Sequence, residues 1–256
     1  MMLCTQCGTA AADDAIYCSK CGDPLLRAVA EQLPPAGFLD LTRRTNATFY
    51  LLWAFAGLAA LALASDLVRL QLLSTATFNI IDEPVANNVA RHRVLEVLHA
   101  IMFISSAVAF LLWTYRANSN CRALGAQGMI SPGWSVGWYF VPIANLWKPY
   151  QAMEEIWQAS KNPQSWQRVK RPGIVTCWWY IWLANLIATN FTLTWVQSAK
   201  TSDDLIRATN ADLFVASTDV LAAILAAWII AKVHLMQETW IGSLALSNPT
   251  PSPQQA

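Results

Sequence analysis

WSVGWYFVPIANLWKPY, residues 134–150, is apolar and aromatic enough for a bilayer, yet it carries Pro142, Asn145 and Pro149. Whether it crosses fixes the topology of the whole chain. As a helix its uncharged part, 134–147, would reach about 21 Å, short of a hydrocarbon core of ~30 Å. Pro142 removes a backbone donor and disfavours a straight helix. The stretch therefore reads as a short Pro-kinked segment, re-entrant or interfacial, and not as a span.

Four longer apolar runs flank it, at about 47–66, 94–115, 173–197 and 213–234. Backbone polar groups cannot stay unpaired in lipid, so each is expected to be a helix. With an inside N-terminus and four crossings, the inner segments hold Lys20, Arg27, Arg43, Arg44, Arg116, Arg122, Lys148, Lys161, Arg168, Lys170, Arg171 and Lys232. The outer loops hold only Arg69, Arg91, Arg93, Lys200 and Arg207. Inner loops carry such a positive excess. A fifth crossing at 134–149 would turn the basic residues from Lys148 to Arg171 outward. Tyr50, Trp53, Trp113, Tyr115, Trp178 and Trp179 fall near the inner helix ends, where a headgroup belt is expected. Ala56, Ala60 and Ala64, and likewise Ala223, Ala227 and Ala231, form small ridges, so the first and fourth spans are expected to pack together.

Composition agrees. Of 256 residues, 55% are hydrophobic and 13% charged, with a mean hydropathy of +0.33. Soluble domains carry about 25% charge. The net charge of +1 leaves no electrostatic footprint for nucleic acid. Residues 1–24 lack the basic start and apolar run of a secretory signal. The expected location is a bacterial inner (plasma) membrane, multi-pass, with both termini cytoplasmic.

Near the N-terminus stand CTQCG and YCSKCG, that is Cys4-x2-Cys7 and Cys18-x2-Cys21, each pair followed by glycine. A CxxC turn aims two thiolates at one point, and two such turns close a tetrahedral four-sulfur site with no position open to substrate. So small a module cannot bury a core, and metal binding supplies its folding energy. The expected cofactor is structural Zn2+, although four sulfurs also suit iron. The arrangement resembles the short zinc ribbon at the N-terminus of many bacterial membrane proteins.

The segment YRANSNCRALGAQGMISPGWSVGWYFVPIANLWKPYQAMEEIW carries Asn120, Leu124, Gly125, Ser131, Pro132, Trp134, Gly137, Pro142, Asn145, Leu146 and Pro149. On these residues, and on the paired Trp178 and Trp179, the region 45–240 resembles DUF4328, a bacterial membrane domain family of unknown function often fused to such a ribbon. The resemblance implies a multi-span helical fold and no activity.

The expected organisation is all-α: a zinc ribbon at 1–24, a linker or interfacial segment at 25–44, a membrane domain of four helices at 45–240, and a disordered tail at 241–256. Ionisable residues inside spans are functional candidates by default. Asp66, Arg69, Glu96, His99 and Asp219 fall toward the outer half. Glu96 and His99 share a helix face and are expected to line a small polar cavity with Asp219. Asn145 is expected to bond the carbonyl freed by Pro142 or groups such as Asn185, while Asn185 and Asn190 read as interhelical glue. Met153, Ile156 and Trp157 share one face of a helix that lies on the inner surface or packs under the bundle. The sequence holds no Ser/His/Asp arrangement, HExxH or phosphate loop. It reads as a non-enzymatic interaction or regulatory module, its ribbon docking a cytosolic or membrane protein. The competing reading is a small-solute or ion conduit using the outer cavity, which four spans would build only as a homo-oligomer.

Overall fold

The computed structural model describes residues 2–3, 7, 9–11, 18–22, 35–75, 83–198 and 201–247. At 2, 3, 11, 73–75, 83–93, 96, 193–198, 202 and 245–247 it describes the backbone alone. The chain is mostly helical. Two short strands, β1 (Met2–Leu3) and β2 (Ala10–Ala11), pair antiparallel. The described helices are α1 (Thr42–Thr75), α2 (Glu83–Ala123), α3 (Pro132–Gly137), α4 (Lys148–Lys161), α5 (Gly173–Ser198) and α6 (Ser202–Ser247). Single 3-10 turns lie at Trp138–Phe140 and Ala144–Leu146, and a kinked pair of such turns at Pro163–Arg168.

Among the described residues, four helices hold windows long and apolar enough to cross a membrane: Thr42–Leu72, Val97–Ala123, Gly173–Thr192 and Asp203–Leu244. All four helices outrun the expected spans. α6 continues to Ser247, so residues 241–247 are helix and not tail. Residues 35–41 are not a free linker either: Phe38 and Leu41 are buried, and α1 begins at Thr42.

α1 packs most extensively on α6, α5 covers another side of α6, and α2 lies against α1. The α1–α6 pairing is the expected one, but α1 presents Leu52, Phe55, Ala56 and Ala59, all buried, while Ala60 and Ala64 are exposed. At 3.6 residues per turn, a strict four-residue ridge rotates away from its partner by about 40° per step. α6 answers with Ala223, Ala226, Ala227 and Ile230. A second correction concerns the aromatic belt. Trp113, Trp178 and Trp179 are buried core residues, and only Tyr50, Trp53 and Tyr115 of that set face outward. The Trp113 indole N–H is satisfied by Thr45 Oγ1 at 3.1 Å, which allows a polar-tipped ring inside the bundle.

Residues 124–172 fold as a cap at the end shared by the α1 N-terminus, the α2 C-terminus, the α5 N-terminus and the α6 C-terminus. The family-marker residues punctuate its chain path. Gly125, at φ +101°, ends α2: Gly125 N–H bonds Arg122 O at 3.0 Å and Ala126 N–H bonds Cys121 O at 3.0 Å. That is the paired 6→1 and 5→2 pattern of a Schellman cap. Ser131 caps α3 by accepting from Trp134 N–H, with Pro132 at the first helical position. Pro149 opens α4 in the first turn, where its missing donor costs nothing. Pro142 starts a γ-turn: Ala144 N–H bonds Pro142 O at 2.8 Å across Ile143, whose φ/ψ of 67°/−53° is a strained conformation.

The stretch 134–150 is thus two helical fragments and two turns. Tyr139 packs edge-on to Phe110 at 6.3 Å, and the Trp179 indole donates to Leu146 O at 3.0 Å. Trp134, Phe140, Ile143, Leu146 and Trp147 stay exposed. α4 packs under the bundle, with Met153 and Ile156 buried and Trp157 stacked on Trp228 at 5.7 Å.

Candidate functional site

Two features of the described residues gather chemistry: a thiol cluster in the N-terminal module and a polar cavity in the helical domain. In the N-terminal module the sulfurs of Cys7, Cys18 and Cys21 lie within 4.8 Å of one another, and Cys7 Sγ is 3.4 Å from Cys18 Sγ. Thiolates around one tetrahedral ion with bonds of about 2.3 Å stand about 3.8 Å apart, so the spacing fits a shared metal. Cys4 lies outside the described residues. The local backbone explains the convergence. Gly22, at φ +72°, turns the chain so that its N–H bonds Cys18 O at 2.9 Å. The Thr9 hydroxyl and backbone N–H, with Cys18 beside them, lower the Cys7 thiol to about 6. These bonds favour the thiolate, the form that binds metal.

The cavity, about 100 Å³, lies between α1, α2 and α6 and is lined by Ala62, Asp66, Leu95, His99, Asp212, Val215, Ala216 and Asp219. His99 Nε2 is 3.3 Å from Asp219 Oδ2, at ion-pair distance but outside hydrogen-bond geometry. The His99 ring lies 4.7 Å from the Phe55 ring. Asp219 Oδ1 accepts from the Asn185 amide at 3.0 Å, and the same amide reaches Val215 O and Thr218 Oγ1. Arg69 pairs with Asp212 at 3.7 Å.

The structure thus brings His99, Asp219 and Asp66 to one cavity. Glu96 is in α2, with a side chain outside the described ones. Asn185 acts within the α5–α6 contact and not on Asn145, which contributes its backbone N–H to Val141 O at 3.0 Å. Asn190 bonds its own helix at Leu186 O. His234 pairs loosely with Glu238 at 3.9 Å, and the His92 side chain lies outside the described ones. Asp212 was not singled out by sequence reading. Its signal was there, because it precedes Asp219 by two helical turns on one face.

A second polar centre is buried in the cap around the marker residue Asn120, whose partners the sequence reading missed. The Asn120 amide donates to Leu39 O at 2.9 Å and accepts from Leu39 N–H at 3.2 Å. It also donates to Gln237 Oε1 at 3.2 Å. Gln237 in turn donates to Ala117 O and to Ser160 Oγ, beside Cys121. Asn120, Gln237 and Ser160 are fully buried, so α2, α4, α6 and the segment before α1 are locked by groups that satisfy one another. Nearby, Ile130 is held at both backbone groups, its N–H by Glu155 Oε2 at 2.7 Å and its carbonyl by the Asn118 amide at 3.0 Å. Burial raises the Glu155 carboxyl above its ordinary value despite these bonds.

Four long apolar helices, a marker-built cap and an N-terminal thiol cluster define a multi-helix protein with a small metal-knuckle module. A family model described as "Domain of unknown function (DUF4328)" matches residues 77–234, and one described as "zinc-ribbon domain" matches residues 3–25. The chain belongs to the DUF4328 family. No curated protein and no solved structure matches it.

Proposed function

We propose that the chain is an integral protein of a bacterial inner membrane that works as a non-enzymatic interaction module. Its cytosolic zinc ribbon docks a partner, and the helical domain anchors it. The convergence of Cys7, Cys18 and Cys21 within 4.8 Å carries this reading. With Cys4 as fourth ligand, Zn2+ would be closed to substrate and would serve to fold a surface.

Charge supports the orientation. Arg116, Arg122, Lys148, Lys161, Arg168, Lys170 and Arg171 all belong to the cap end, the side that positive loops keep in the cytoplasm. Asp219 lies about 27 Å along α6 from Gln237 of the cap, close to a hydrocarbon thickness of ~30 Å. The stretch 134–147 then dips into the inner leaflet and returns. Its Tyr139 meets Phe110, about 20 Å inside the α2 end, and its exposed Phe140 and Ile143 face lipid. Affinity purification from membranes, with and without Cys4→Ser, tests the docking role. A protein co-purifying only with the intact ribbon is expected, and identical co-purifying sets would contradict it.

The cavity favours a second reading, an oligomeric ion conduit, since ionisable groups within spans mark ion pathways by default. Cation flux into proteoliposomes, lost in Asp219→Asn, would support it over simple anchoring.

A further inference from the structure

We infer that His99 and Asp219 form a pH-sensitive latch between α2 and α6 that closes the cavity when His99 is protonated. The geometry is specific. Asp219 is fixed from behind by Asn185 of α5, leaving Oδ2 facing His99 Nε2 at 3.3 Å. Phe55 of α1 supports the imidazole from its ring side, and a cation beside an aromatic ring and a carboxylate is held by both. Elsewhere α2 leans on α1 and touches α6 only sparingly. The His99–Asp219 contact therefore governs how closely α2 approaches α6 at this level.

Every charged group described around His99 belongs to the same small space. α1 contributes Asp66 and Arg69, and α6 contributes Asp212 and Asp219, with Arg69 and Asp212 paired. Glu96 is on the same helix as His99, and its side chain lies outside the described ones. With a neutral ring, no cationic side chain among the described residues lies within ion-pair distance of Asp219. With an imidazolium, Asp219 gains its counter-charge across the gap. Histidine is the side chain whose charge changes most readily near neutral pH, and the His99 side chain is partly exposed at the cavity. The latch is closed with the imidazolium and released with the neutral ring. The inference stands on this geometry and not on the ribbon or the conduit reading.

The test uses the full chain in proteoliposomes with Leu95→Cys placed in the cavity wall. Its alkylation is read by mass spectrometry of its own peptide, so the other cysteines do not interfere. Rates are compared at pH 5.5 and pH 8 in otherwise native, His99→Gln, His99→Lys and Asp219→Asn backgrounds. Relative to His99→Gln, the native background should show an additional rise at pH 8 of about threefold or more, the scale of a modest ion pair. His99→Lys should stay slow at both pH values once ordinary thiol ionisation, read from His99→Gln, is divided out. Asp219→Asn should remove the additional rise. The same pH ratio in the native and His99→Gln backgrounds would overturn the inference, as would a retained rise in Asp219→Asn.

Discussion

Gly125 shows how much of the marker motif is backbone chemistry. A Cβ at this position would meet no atom within 4 Å, so Gly125→Ala is a test of conformation alone. At φ +101° it should cost about 1–2 kcal/mol, the scale of forcing an L-residue into left-handed space, measured by thermal unfolding in detergent. Glu155 tests electrostatics. Burial raises its carboxyl, so the folded state binds its proton more readily than the unfolded state does. Its contribution to stability therefore grows as the pH falls through that raised value toward the ordinary carboxylate range, and shrinks toward neutral pH. The stability of the native chain relative to Glu155→Gln should increase between pH 7 and pH 5. A difference that shrinks on acidification would place Glu155 in a setting that favours its charge.

At the scale of elements, the α1–α6 contact is the spine of the helical domain. On α6 Ala223 and Ala227 are buried and Ala231 half-buried, while on α1 Ala56 is buried and Ala60 and Ala64 are exposed. Ala227→Leu puts a large side chain where 2% of the residue is exposed, and overpacking of this kind costs about 1–3 kcal/mol. Ala60→Leu, on the outward face of α1, should leave the unfolding temperature nearly unchanged. Equal losses would mean that Ala60 faces a neighbour after all. Sequence periodicity foresaw which two helices meet, because small residues announce close approach. It misjudged which α1 residues meet α6, because a four-residue ridge was extrapolated along a helix that turns every 3.6 residues. It also read Trp113, Trp178 and Trp179 as belt residues from their position along the helix, which says nothing about facing.

For the whole molecule, the legible parts were those with local chemistry: CxxC pairs, apolar length, and the Pro and Gly of the cap. Of the Asn120–Gln237–Ser160 lock only Asn120 was legible, as a marker residue; its partners were not, because they lie up to 117 positions away and each looks like an ordinary polar residue alone. His99 and Asp219 were paired from depth, whereas Asp212 needed helical phase. The ribbon predicts a composition: purified protein should carry about one zinc per chain, and Cys18→Ser should lose it, by elemental analysis. The central claim is a four-span topology with the 124–172 cap on the cytoplasmic side. Lys161→Cys, in the exposed last turn of α4, tests it most directly with a membrane-impermeant thiol reagent, read on the peptide that carries it. No labelling is expected in intact cells, and full labelling after permeabilisation. Labelling in intact cells would mean that residues 134–149 cross the membrane.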